Sequence, residues 1–212
     1  MSSDPPNASP SFTAEPPSDP ALADLVRRRG APLLEALDSH LPGSQDHAEA
    51  TGSYAFAAAV GMGLDRAAAE LCRETARLHD VGMVYVPAEV TQTAFDAWSE
   101  EQREVFDAHY EAGARLALGA GIPDDVCGWL LQIRERFDGL GPERVAGEAI
   151  PVAARVTRAA CACDTLLASA ASGQDLLVRR ESAATRLEEA AGRELDPAVV
   201  TVLLDKLRSP AI

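Results

Sequence analysis

Apolar positions along the chain recur with helical rather than strand spacing. From Ala21 to Leu41, Leu25, Leu33, Leu34 and Leu37 fall near one face, and Asp19-Pro20 supplies a cap and a first-turn proline. Gly30 and Pro32 are expected to divide that segment, since a glycine loosens a helix and a proline removes one of its hydrogen bonds. Ser44-x-x-His47 opens a second helix that carries Tyr54, Phe56 and Val60 to Gly61. Asp65 caps a third, with Leu71, Ala76 and Leu78, and Gly82 and Pro87 break its pattern. Trp98–Leu118 is helical again, with Val105, Phe106, Leu116 and Leu118 as its apolar stripe. Asp124–Arg136 follows, and then a glycine-bearing loop over Asp138–Ile150. Pro151–Ala171 is built of small residues and is apolar on most faces, which predicts a central, buried helix. Leu187–Arg193 and Pro197–Leu207 close the pattern. No segment alternates apolar and polar residues with a β-branched bias, so the predicted class is all-α.

The first twenty residues break this order. They are rich in proline and serine and nearly free of large apolar groups, so they cannot bury enough surface to offset the entropy of ordering. The expected organisation is a disordered tail over 1–20, an N-terminal helical segment over 21–43 and a main helical domain over 44–212. No run is long and apolar enough for a membrane span, and no basic stretch precedes an apolar one at the start.

Charge narrows the partners. Lys and Arg number 19 against 33 Asp and Glu, a formal net charge of -14. Such a balance argues against nucleic acid, whose phosphates need a basic footprint, but leaves room for one small anion in a locally positive pocket. The four cysteines, Cys72, Cys127, Cys161 and Cys163, form no C-x-x-C pair and read as reduced thiols of a cytoplasmic protein.

The sharpest chemical feature is Leu78-His79-Asp80-Val81-Gly82. Adjacent imidazole and carboxylate groups at a helix end can share a divalent ion, and the glycine lets the chain turn away. His47 lies one helix earlier and His109 one helix later, so three histidines on successive helices can converge inside a bundle. The fourth, His40, falls outside this pattern and is expected at the surface.

These residues carry a resemblance. Leu78-His79-Asp80-Val81-Gly82 is similar to the L-H-D-I-G of the HD-GYP domains, a branch of the HD phosphohydrolases that cleaves cyclic di-GMP. Val86-Pro87, His109-Tyr110-Glu111-Ala112-Gly113-Ala114 and Glu135-Arg136-Phe137-Asp138-Gly139 resemble that family's I-P, H-P-E-I-G-A and E-R-W-D-G. Gly147–Val156, Asp164-Thr165-Leu166 and Leu195-Asp196-Pro197 with Val200 match its later blocks in order, and His47 stands on its first histidine helix. The resemblance implies an HD-type helical bundle from about residue 44 to residue 207.

Measured against that pattern, the chain departs where the family's chemistry is done. The paired histidines before E-R-W-D-G are Ile133 and Arg134, the lysine after H-D-x-G is Met83, and G-Y-P is reduced to Gly141-Pro142. The aspartate that closes the family's metal site is Cys161, and the arginine of H-x-x-R is Ala50. The resemblance leaves His47, His79, Asp80 and His109 as ligands, with Cys161 or Asp164, one turn further on, to complete a reduced site. Arg134 cannot give up its proton and so cannot bind a metal; it is expected to stand beside Asp80 as a built-in cation. Arg134 and Arg136 are the expected phosphate contacts, with Arg136 and Arg155 alternatively in structural ion pairs. Met83 is expected to pack, as are Trp98 and Trp129.

Two functions follow. The favoured one is a degenerate, noncatalytic bacterial signalling module that binds a cyclic dinucleotide, cyclic di-GMP, or a protein partner, with oligomerisation left open. The other is a residual metal-dependent phosphodiesterase holding one divalent ion, iron, manganese or zinc. The favoured reading needs no cofactor at all.

Overall fold

The computed structural model describes residues 14–93, 97–169 and 175–209. Among them are nine α-helices and no strand: α1 (Pro20–His40), α2 (Ser44–Gly61), α3 (Arg66–Arg77), α4 (Ala88–Thr91), α5 (Glu100–Gly119), α6 (Asp124–Gln132), α7 (Val152–Ala168), α8 (Leu176–Ala190) and α9 (Pro197–Arg208). Val81–Tyr85 forms a 3₁₀ turn between α3 and α4. The all-α expectation therefore holds. None of the described helices is long and apolar enough to cross a membrane.

The centre is a packing of α2 against α3 and α7. Its contact faces are alanine: Ala55, Ala58 and Ala59 on α2, Ala69 and Ala76 on α3, and Ala159 and Ala160 on α7 are all fully buried. Small side chains let the backbones approach closely, so polar groups projecting from the ends of these helices are brought within a few ångströms. Trp129 on α6 and Leu187 on α8 fill the larger gaps of the same core. A second cluster of Leu37, Met83, Val86 and Val90, with Trp98 and Phe106 packed on it, pins the 3₁₀ turn against α1 and α5.

Several boundaries differ from the sequence reading. The first helix runs unbroken through Gly30 and Pro32. Gly30 is a contact point, because a Cβ there would lie 2.7 Å from a Leu78 methyl, and Pro32 and Arg28 are both exposed, so water can satisfy the carbonyl that the proline leaves free. The helix read at Leu187–Arg193 begins eleven residues earlier, at Leu176, capped by Asp175. On α5 the expected stripe is turned outward at Val105 and Leu118, 36% and 54% exposed, and the buried face is His109, Gly113, Ala114 and Ala117. The helix expected over Asp124–Arg136 stops at Gln132 and that over Pro151–Ala171 stops at Ala168. Of the expected tail, 1–13 lie outside the described residues. In 14–19, Pro16 is buried, the Ala14 carbonyl accepts a hydrogen bond from Val152 (3.1 Å), and Asp19 caps α1.

Candidate metal centre

Four elements meet at one end of the α2–α3–α7 packing. His47 stands in the first turns of α2, His79 and Asp80 leave the end of α3, His109 comes from α5, and Cys161 and Asp164 from α7. The close approach of the His-Asp turn to α5 depends on Gly82. A Cβ on it would lie 1.9 Å from the His109 carbonyl oxygen and 2.6 Å from the Gly113 nitrogen. Gly113 answers from the other side, where a Cβ would sit 3.1 Å from the Gly82 nitrogen. The two glycines thus bring His109 beside Asp80.

The imidazoles are oriented from behind. Nδ1 of His79 donates to the Ala76 carbonyl at 2.8 Å and Nδ1 of His109 to the Phe106 carbonyl at 2.5 Å. Nδ1 of His47 donates to Asp164 Oδ2 at 2.7 Å. With Nδ1 of each ring engaged from behind, each Nε2 faces inward, where a neutral ring would present a bare lone pair. His47 Nε2 and His79 Nε2 are 3.3 Å apart. Asp80 Oδ1 lies 3.2 Å from His79 Nε2 and 3.5 Å from His109 Nε2, and Asp80 Oδ2 lies 3.7 Å from His47 Nε2. His109 Nε2 is fully buried with no hydrogen-bond partner.

Lone pairs facing lone pairs repel unless a proton or a cation lies among them. For a proton, His47 is the acceptor: the Asp164 carboxylate, helped by Cys161, raises its pKa to about 9. Burial pushes the Asp80 carboxyl upward, but His79, His109 and His47 around it outweigh burial and hold it well below the ordinary carboxylate range. For a cation, the residues fit a divalent ion: neutral imidazole nitrogens and an ionised carboxylate are its usual donors.

Cys161 belongs to this group. Its Sγ lies 3.8 Å from His47 Nε2, and donors from His47, His79 and Cys161 all fall within 4.8 Å of one another. Asp164 stands behind His47 and orients it. Arg134 is placed differently from the built-in cation expected of it. Its guanidinium lies 3.6 Å from Asp107 and over the Tyr110 ring, with no ion pair to Asp80. The reason is local: Ile133 and Glu135 are buried on either side, so Arg134 faces away from them. Glu135 is held there by accepting from the backbone N–H groups of Glu143 (2.8 Å) and Val145 (3.1 Å). Arg136 is engaged by Asp138 at 2.7 and 3.0 Å and by Glu194 at 3.3 Å, and Arg155 by Asp196. Met83 packs in the second cluster, Trp129 in the main core, and His40 is exposed, its Nε2 3.1 Å from the Val86 carbonyl.

The sequence reading missed the cavity beside the centre. About 640 Å³ in volume, it is lined by His79, Tyr110 and Cys161 and by the arginines Arg158, Arg186 and Arg193. Arg158 donates to the Ile133 carbonyl at 3.0 Å, pairs with no carboxylate among the described residues, and keeps a buried Nε without a partner. The signal was present in the spacing: Arg158 is three residues before Cys161, on one face of a helix built mostly of small apolar residues.

A family model described as HD domain matches residues 33–199. The chain belongs to the HD domain family. The kinship expected from the motifs is the one found. The chain is 29% identical over 175 residues to the cyclic di-GMP phosphodiesterase response regulator RpfG of Xanthomonas campestris pv. campestris, which covers 81% of the chain and 46% of that relative. It therefore spans less than half of that relative's length. Among solved structures, Bd1817, an HDG"Y"P protein of Bdellovibrio bacteriovorus, superposes with a TM-score of 0.65 at 22% identity, covering 89% of the chain and 62% of its own. The HD domain of PgpH from L. monocytogenes, solved in complex with cyclic di-AMP, superposes with a TM-score of 0.60 at 17% identity, covering 85% of the chain and 99% of its own. These two likenesses show a shared HD fold.

Proposed function

We propose that this HD domain is a phosphohydrolase for cyclic dinucleotides, working with a single divalent ion. One observation carries the reading: three imidazoles, each oriented from behind at Nδ1, converge their Nε2 atoms on Asp80. Such orientation is the kind that metal-ligating imidazoles receive. His47, His79, Asp80 and Cys161 would hold the ion, which when bound supplies Lewis acidity and a water of lowered pKa. His109 Nε2, buried beside Asp80, is placed to accept and hold a proton there. Arg158, which pairs with no carboxylate among the described residues, offers guanidinium donors to phosphoryl oxygens at the cavity wall. Tyr110 and Ile133 give the same cavity apolar surface against which a base can lie.

A noncatalytic binding module is the second reading. It is favoured by Ile133 being buried where the family has a ligand and by Met83 being packed where the family has a lysine. Protein docking on the Met83–Trp98 stretch gains little support, since among its described residues Met83, Val86 and Val90 are buried and Tyr85 is exposed, at 65%.

The test is turnover of cyclic di-GMP, cyclic di-AMP and cyclic GMP-AMP by metal-reconstituted protein, beside Asp80→Ala. Hydrolysis of at least one, lost in the variant, is the expected result. Binding without turnover would decide for the second reading, and neither binding nor turnover would overturn both.

A further inference from the structure

The donor set beside α7 differs from an all-imidazole and carboxylate site in one atom, the Cys161 sulfur. Its neighbours have a geometry that can be compared with ions of known preference. Around a four-coordinate ion with metal–nitrogen bonds of about 2.0 Å and a metal–sulfur bond of about 2.3 Å, nitrogens stand about 3.3 Å apart and nitrogen and sulfur about 3.5 Å. The separations here are 3.3 Å between His47 Nε2 and His79 Nε2 and 3.8 Å between His47 Nε2 and Cys161 Sγ. The Asp80 carboxylate lies beside them, its Oδ1 3.2 Å from His79 Nε2 and its Oδ2 3.7 Å from His47 Nε2. Adjacent ligands of an octahedral ion with bonds of about 2.1 Å lie closer, about 3.0 Å apart.

Apart from His109, whose Nε2 lies 3.5 Å from Asp80 Oδ1, the neighbouring residues add no donor. Ile133 is 3% exposed and apolar, and Arg134 is a permanent cation engaged with Asp107. Cys161 is also unlike the other thiols: Cys72, Cys127 and Cys163 are buried in the core, while Cys161 is half-buried and lines the cavity.

We infer that Cys161 makes this a thiolate-bearing centre that selects zinc over manganese and iron. The inference rests on the metal-binding reading above and adds the identity of the ion. Soft thiolate favours zinc, whereas manganese and iron(II) favour sites richer in oxygen and open to six ligands.

Cobalt(II) reports the sulfur directly, without activity. Apo protein titrated with cobalt should develop a near-ultraviolet sulfur-to-cobalt charge-transfer band. In Cys161→Ala and Cys161→Asp the charge-transfer band should be absent. In competition titrations, C161D should lower the zinc-to-manganese affinity ratio by about 100-fold. In the native apo protein, iodoacetamide should label Cys161 ahead of the three buried thiols, and zinc should block it; this measurement needs no variant. Cobalt binding without the charge-transfer band, or a band that persists in C161A, would overturn the inference and leave the metal-dependent reading standing. No binding of cobalt, zinc or manganese at all would overturn both.

Discussion

Replacing Asp164 with asparagine should change how metal binding depends on pH more than it changes affinity at any one pH. Asp164 Oδ2 lies 2.7 Å from His47 Nδ1 and is the main reason that the His47 pKa stands at about 9. A metal must displace the proton on His47, so at pH 7, two units lower, the free imidazole is about 1% of the population and apparent affinity falls about 100-fold. With asparagine the pKa should relax toward about 6.5, and this competition vanishes above neutrality. Asparagine also supplies less basicity to the ring, which costs about 10- to 100-fold in affinity and partly hides the gain at pH 7. The slope is therefore the clean observable. Between pH 7 and 9, the logarithm of zinc affinity should rise more steeply in the native protein than in D164N, by about one per pH unit. Protons released elsewhere in the site are common to both proteins and cancel. Competition against a fluorescent zinc indicator over pH 6.5–9.5 measures this. Equal slopes in the two proteins would refute the role given to Asp164.

The remaining expectations are as direct. In metal-free protein, the raised His47 pKa contributes stability that is complete below about pH 6.5 and is lost as pH rises through about 9. Its upper bound is about 3 kcal/mol, and urea unfolding at pH 6 and pH 9.5 should show that loss in the native protein and not in D164N. Gly82→Ala places a methyl against the backbone of α5 and should destabilise by about 3 kcal/mol or more, with Gly113→Ala milder; equal melting temperatures for the two variants would contradict the packing described. Arg158→Ala should weaken cyclic di-GMP binding about ten-fold or more, while Arg134→Ala, whose guanidinium sits on Asp107, should leave it nearly unchanged. Calorimetric titration of both variants checks this, and the reverse order would reinstate Arg134 as the phosphate contact.

Much of this was legible in the residues. Gly43 and Asp65 bracket α2 and α3 where Ser44-x-x-His47 and Asp65 placed their starts, and the alanine-rich α7 is as buried as its composition implied. The histidine convergence was readable because His47, His79 and His109 fall on successive helices and the His-Asp turn carries its glycine. What escaped the sequence depends on tertiary contact. Gly30 looks like a breaker until Leu78 is found against it. Arg134 looks like a replacement cation until the burial of Ile133 and Glu135 on either side fixes which way it points. Asp164 and Cys161 were open alternatives for one place, and only side-chain geometry separates a group that orients His47 from one that sits with the donors. Arg158, Arg186 and Arg193 come from two helices and a loop, and no local pattern unites them around one cavity.

The account stands or falls on whether the convergent donors hold an ion. Metal content of untagged protein, measured by inductively coupled plasma mass spectrometry beside Asp80→Ala, tests it most directly. The predicted result is about one zinc per chain in the native protein and none in the variant. No metal in the native protein after reconstitution with zinc, or equal metal in both, would contradict a centre built on His47, His79, Asp80 and Cys161.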